Sequence, residues 1–285
     1  MLEKKKNIGR KTFRILLYIF AFIGFVFTGV FFAMQLHITD VKGSIDSRNA
    51  YFDSVRSQLT RTEDSQKSFY DWISSPEWQV IRGGLLKDKD IILEASKNSG
   101  VPARIIISTM VAEQFRFFTS NRESFKKFFE PLKILANGTK FSYGVTGVKE
   151  TTAQKIEENL KNIDSPFYLG TDYENVLDFT TSDPNTERLN RLTDAHNHYY
   201  SYLYTGLFIK EVTAQWQKAG FPVGDRPEVL ATIFNLGFEK SIPKANPQVG
   251  GAPITINGRE YTFGGLAYQF YYSGDLFETF PFEVQ

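Results

Sequence analysis

The sequence predicts a mainly α domain with one small β-hairpin, preceded by a single transmembrane helix. Three observations predict it. Residues 15–34, "ILLYIFAFIGFVFTGVFFAM", run for about 20 residues without a charge, enough at roughly 1.5 Å per residue to cross a bilayer core of about 30 Å. From Phe69 onward, apolar residues recur at helical spacing between capping, proline and glycine signals. Near the carboxyl terminus, "ITINGREYTF" sets Asn257 and Gly258 between two short alternating runs, the pattern of a tight hairpin.

The elements follow in chain order. Residues 1–14 form a basic tail, with Lys4, Lys5, Lys6, Arg10, Lys11 and Arg14 against Glu3, so the positive-inside rule places the amino terminus in the cytoplasm. The anchor occupies residues 15–36, and the chain beyond it is expected on the outer side. A cleaved signal peptide is the alternative, but its apolar core is normally about 7 to 15 residues, and "FFAMQLHITD" lacks a small-x-small cleavage site. Residues 37–66 read as a polar stalk or linker. Ile45, Phe52, Val55 and Leu59 fall near helical spacing there, without the three or four heptads that a coiled coil needs.

Residues 67–285 read as one domain. "DKDIILEASKNSG" is a helix from about Asp88 closed by Gly100, and Pro102 opens the next helix, "ARIIISTMVAEQFRFF". "ESFKKFFEPLKILANG" gives one or two short helices interrupted at Pro131. "TTAQKIEENLKNI" carries Thr151 and Gln154 in capping-box register. After the loop "TTSDPNTE", a long helix is predicted from about Arg188 to Lys218. "GDRPEVLATIFNLG" is a further helix, with Asp225 and Glu228 as its box, Pro227 at its start and Gly237 at its end.

Composition sets limits on function. With 42% hydrophobic and 23% charged residues in 285, the chain is an ordinary globular one, and cysteine is absent, so neither disulfides nor thiolate metal sites contribute. The chain has 33 basic and 32 acidic residues; setting aside the tail's six basic and one acidic leaves 27 and 31, a net charge of about −4 for the rest. Nucleic acid is therefore not an expected partner, because phosphate binding needs a basic face. His196 and His198, in "HNH", stand two apart and do not chelate as an i, i+4 pair would, so they read as surface residues. "NGT" at Asn137 matches a glycosylation tripeptide, a pattern common by chance.

One carboxylate stands out. In "RIIISTMVAEQFRFF", residues 104–118, Glu113 shares a helical stripe with Ile106, Met110 and Phe117. A carboxyl among hydrocarbon loses hydration when ionised, so its pKa is expected to rise, as a general acid near neutral pH requires. The alternative is an ion pair with Arg116, three residues on, on a solvated face. Both readings stay open in the sequence.

Three segments in order resemble the lysozyme-like superfamily, in particular lytic transglycosylases of the soluble-lytic and goose-lysozyme type. "SGVPARIIISTMVAEQ" resembles the helix carrying that family's catalytic Glu, here Glu113, followed by Gln114 where Ser is usual. "SYGVTGVKETTA" resembles S-x-G-x-x-Q-I-x-P-x-T-A at Ser142, Gly144, Val148, Thr152 and Ala153, with Gly147 in place of the Gln and Glu150 in place of the Pro. "ATIFNLG" resembles A-x-Y-N-x-G at Ala231, Asn235 and Gly237, with Phe234 in place of the Tyr. The resemblance spans roughly residues 91–272.

It implies a lysozyme-like helical domain in a bacterial envelope, single-pass in the cytoplasmic membrane and facing the periplasm or cell-wall space. It also implies cleavage of peptidoglycan glycan strands at the bond between N-acetylmuramic acid and N-acetylglucosamine, with no metal and no organic cofactor. Glu113 would be the acid and base. Ser142, Tyr143, Gly144, Asn235 and Tyr268 would meet the substrate, Tyr268 being drawn from the Tyr-rich "YQFYYSGDLF". The small residues at 142 and 144 let a sugar approach backbone amides. Glu123 and Glu130, the nearest downstream acids, lie in a charged segment with a Lys pair, so no second catalytic carboxylate is expected. Two alternatives remain: a true muramidase, and an inactive wall-binding or scaffold module of a secretion, conjugation or division complex, the only protein partner expected.

Overall fold

The computed structural model describes residues 18, 22–26, 28, 70–119, 142–143, 145–194 and 196–282. The first seven of these belong to a unit of their own: they are helical, Thr28 Oγ1 donates to the Gly24 carbonyl at 2.8 Å, and Tyr18, Phe22 and Phe25 expose their rings. Among the described residues no helix is long and apolar enough to cross a membrane. Most of the expected anchor at 15–36, the whole stalk at 37–66, the segment around Pro131 with Glu123 and Glu130, and Asn137 lie outside the described residues.

The second unit is mainly helical. A 3-10 turn (Asp71–Ser74) leads into α1 (Pro76–Lys87), α2 (Lys89–Ser99) and α3 (Ala103–Thr119). A short antiparallel ladder follows, β1 (Ser142–Tyr143) with β2 (Val148–Lys149), and β2 runs directly into α4 (Glu150–Lys161). Then come α5 (Pro184–Thr193), α6 (Tyr199–Lys218), α7 (Pro227–Leu236), the hairpin β3 (Pro253–Ile256) and β4 (Arg259–Thr262), and α8 (Phe263–Tyr272).

Several local signals act as read. Gly100 closes α2 in the left-handed region at φ 65°, and Pro227 opens α7. Asn257 at φ 50° and Gly258 at φ 78° turn the β3–β4 hairpin with Ile256 opposite Arg259, the pair of positive φ angles that a type I′ turn requires. Four expectations are corrected. The hairpin has a companion, the two-residue ladder of Ser142 and Tyr143 with Lys149 and Val148.

The long helix from about Arg188 is two helices. Asp194 accepts the amides of His196 and Asn197, and Asn197 Oδ1 accepts that of Tyr199, so local side-chain bonds replace a helical turn. Neither capping box forms. Helix α4 starts at Glu150 because the chain leaves the ladder at Lys149, and α7 has Arg226 at its cap, where Glu228 pairs with Arg226 at 2.9 Å.

Helix α3 is the centre of the domain. It packs against α1, α2, α6, α7, α8 and β3, and every residue from 103 to 113 is buried. A helix enclosed all round has to be largely apolar on every face, which "IIISTMVA" supplies, with the Ser108 hydroxyl turned back to the Arg104 carbonyl at 2.6 Å. At its amino end sits Arg104, wholly buried, donating to the carbonyls of Phe270 (3.2 Å), Tyr271 (2.8 Å), Asp275 (3.1 Å) and Phe280 (2.9 Å). The first two belong to the last turn of α8, where Phe270 also accepts the Ser273 amide and hydroxyl, so the guanidinium and Ser273 together cap that helix, and the guanidinium fixes the tail behind it. Burial pulls Arg104 down to about 10, against the opposing influence of Tyr271 and Asp275, which leaves it charged at neutral pH. Beside it Trp72, Trp78, Phe115 and Phe270 pack ring on ring, with the Trp indoles donating to Gln269 (3.1 Å) and Asp275 (3.0 Å).

A buried acid lies between α4 and α6. Glu211 is fully buried, accepts one bond from Asn159 Nδ2 at 2.9 Å, and leaves Oε1 without a partner. Burial pushes its carboxyl well above the usual range, more than the Asn159 bond and the charge of Lys155 bring it down.

Two outcomes test these buried charges. Replacing Arg104 with Met keeps the volume and strands the carbonyls of Tyr271, Asp275 and Phe280, so unfolding in urea should show a loss of at least about 3 kcal/mol; a loss below about 1 kcal/mol would show that water satisfies them. For Glu211 the folded chain holds a proton that the unfolded chain releases near the ordinary carboxylate value. Stability therefore falls with rising pH, by up to about 1.4 kcal/mol per unit, from that value up to the raised one. Glu211→Gln should match the parent near pH 4 and exceed it increasingly toward neutrality; parallel stability profiles would rule this out.

Candidate functional site

Glu113 lies in the part of α3 where enclosure begins to open: residues up to 113 are buried, Arg116 is half-buried and Phe118 is exposed. Its side chain keeps 3% of its surface, that of Arg116 keeps 11%, and the guanidinium grips both carboxylate oxygens, Nε at 2.8 Å from Oε2 and Nη2 on Oε1. Glu113 is thus buried and paired at once. The i, i+3 pair forms, as helix geometry allows, but it forms in the interior and not on a solvated face. Arg116 also lies over the Phe117 ring, 5.3 Å from its centroid.

The turn between β1 and β2 is laid against this pair. Gln114 Nε2 donates to the Val145 carbonyl, and Thr146 Oγ1 donates to the Ser201 carbonyl at 3.0 Å, tying the turn to α3 and α6. Gly147 closes it at φ +67° directly on the Glu113 carboxylate. A Cβ at 147 would stand 2.7 Å from Cδ and 2.8 Å from Cγ of Glu113, and closer still to Oε1. The Gln that the resemblance leads one to expect here would start where the Glu113 side chain now lies, on a left-handed backbone that favours glycine.

The other expected site residues have the following places. Ser142 and Tyr143 form β1, paired with Lys149 and Val148, and Gly144 lies outside the described residues. Asn235, in the last turn of α7, accepts the Ala252 amide at 2.8 Å through Oδ1 and so holds the loop entering β3; Gly251 lies close against it at φ +87°. Phe234 packs edge-on against Phe208 with centroids 5.2 Å apart. Tyr268 is buried in α8 with its ring 4.6 Å from Tyr272. Tyr272 is pushed up to about 12, chiefly by burial and also by Tyr268, Glu228, Tyr271 and Asp225. Both α7 and α8 pack on α3, so all the segments that carry the resemblance converge on the helix of Glu113.

Sequence reading missed the roles of Gln114, Thr146 and Gly147. A glycine bounded by small and β-branched residues was the available signal for Gly147; nothing local marked Gln114 or Thr146. His198, read as a surface residue, instead places Nδ1 2.6 Å from Asp88 Oδ2 with its side chain 20% exposed, and Tyr202 donates to the same oxygen at 3.0 Å. Among the described residues no group of three or more His, Asp or Glu side chains is arranged to hold a metal ion. Comparison with protein-family models, with curated proteins and with solved structures finds no match to this chain.

The contact between turn and carboxylate is measurable by a double-mutant cycle. Gly147→Ala should cost about 3 kcal/mol in the parent, from overlap with Glu113 together with the left-handed φ, and only about 1 kcal/mol, the φ contribution, when Glu113 is Ala. Equal costs in the two backgrounds, read by urea unfolding, would mean that the turn does not rest on the carboxylate.

Proposed function

We propose that the chain is a membrane-anchored peptidoglycan lytic transglycosylase in which Glu113 is the acid and base. The observation that carries this reading is the seating of the second motif's turn, through Gly147, on the carboxylate of the first. Two segments that resemble the same family, more than 30 residues apart, meet at the one titratable group that the chemistry needs. In the reaction Glu113 gives its proton to the glycosidic oxygen as the C1–O bond breaks. It then takes the proton of the muramyl 6-hydroxyl as that oxygen bonds C1, so the acid is regenerated and no water is consumed. Holding the attacking hydroxyl in the same sugar supplies a high effective concentration, which replaces a second carboxylate.

The Arg116 pair favours a second reading. A carboxylate gripped at both oxygens has neither free to carry a proton to substrate, and a lysozyme-like module that binds wall without cutting it would keep such a pair permanently.

Purified sacculi separate the two. The full-length protein in detergent should release muropeptides ending in 1,6-anhydro-N-acetylmuramic acid, each one water lighter than a hydrolytic product by mass spectrometry, and Glu113→Gln should cut turnover at least roughly 100-fold. Reducing ends alone would make the chain a muramidase. Release that is equal with Glu113→Gln would move the site elsewhere, and no release from the parent would support the non-cutting module.

A further inference from the structure

Arg116 differs from the other buried arginines in what it holds together. Arg104 joins α3 to the end of α8 and the tail, Arg188 joins α5 to Glu157 of α4, and Arg191 joins α5 to the carbonyls of Leu177 and Asp178, so each is a tie between separate pieces of the fold. The partner of Arg116 is on its own helix, one turn back, and α3 is held in place by six other elements. Opening this pair therefore breaks no ion pair between separate elements. Of its two members the guanidinium is the outer one, 11% exposed against 3% for the carboxylate, so a ligand reaching the site meets the positive charge first.

The turn at Gly147 blocks Glu113 on one side, and the Phe117 ring supports the guanidinium. What can take the place of Glu113 on Arg116 is another planar anion with two oxygens, since the guanidinium fork matches a carboxylate at two points.

We infer that Arg116 recognises a carboxylate on the glycan, and that this carboxylate exchanges with Glu113 for the guanidinium, leaving the Glu113 oxygens free to face the sugar. The inference rests on the proposed function for its ligand class and adds to it a specificity: an acidic glycan unlatches the site and a neutral one does not. The carboxylate can come from two sources on such a strand, the lactyl group where the strand is bare or the peptide where the lactyl group is amidated. The exchange moves no covalent bond; one ion pair replaces another.

The test is binding, read apart from cleavage. With the full-length protein in detergent, the Arg116 Nε–H signal is followed by NMR while N-acetylmuramic acid, N-acetylmuramoyl dipeptide with a free peptide carboxylate, or N-acetylglucosamine is added. The expected result is a shift with one or both carboxylates and none with N-acetylglucosamine. A lactyl source responds to the first compound alone, a peptide source to the second.

Glu113→Gln removes the competing charge, so the responding compound should bind about tenfold more tightly than to the parent, and Arg116→Gln should lose at least tenfold. Arg116→Lys, which keeps the charge without the fork, should fall between them. Affinities of the variants are read by titration calorimetry; equal responses to acidic and neutral sugars, an affinity unaltered by Arg116→Gln, or no response to any of the three would overturn the inference. If the binding pattern holds while sacculi stay intact, the catalytic reading fails and carboxylate recognition stands. Cleavage of sacculi without the binding pattern has the opposite meaning.

Discussion

Enclosure of α3 is the constraint on which the rest of the domain depends. A helix packed on six sides has no solvent to turn a polar group toward, so each polar side chain on it must find its partner inside the protein. Arg104 and Glu113 are the two strongly polar groups in its buried part, nine residues apart, and each organises its own end. Arg104 collects four carbonyls and so determines where α8 stops and how the following segment folds back. Glu113 takes the guanidinium one turn on, and the β1–β2 turn settles over the pair. The aromatic group of Trp72, Trp78, Phe115 and Phe270 packs beside the Arg104 end, with the guanidinium 5.2 Å from the centre of the Phe270 ring.

The two ends differ in how reversible they are. Removing Arg104 from its carbonyls would leave main-chain groups buried without partners, a cost set by desolvation. Separating Arg116 from Glu113 breaks no ion pair or hydrogen bond between elements, because both residues belong to one helix. The contrast is between a clamp that joins two elements and a pair contained in one. Glu211 is a third solution to the same problem. With one bond from Asn159 and an orphaned oxygen, that carboxyl is accommodated by keeping its proton, at a cost that grows with pH.

The departures from the resembling motifs have physical causes in this packing. Gly147 stands where a Gln is expected because the backbone there touches the carboxylate, and Phe234 stands where a Tyr is expected with its ring against Phe208. Asn235 supports the entry to β3, so a positional match to a family's substrate-contacting residue coincides here with a structural bond. The asparagine reading was correct about the element and its last turn, and silent about the loop 17 residues away that claims its oxygen.

The sequence by itself determined what is decided within a few residues: the mainly helical class, the stop at Gly100, the start at Pro227, the Asn257-Gly258 turn, and the unusual carboxylate in α3. These follow from φ preferences and from the 3.6-residue period, which act along the backbone without reference to distant segments. Tertiary structure alone decided the break at Asp194, the start of α4 at Glu150, the burial of the Glu113–Arg116 pair and the closure of Gly147 over it. Helical spacing specifies that residues 113 and 116 can meet, but whether water surrounds them depends on six other elements whose approach no local pattern encodes. A contact as close as Gly147 on Glu113 exists only because Gln114 and Thr146 anchor the turn to two helices at once.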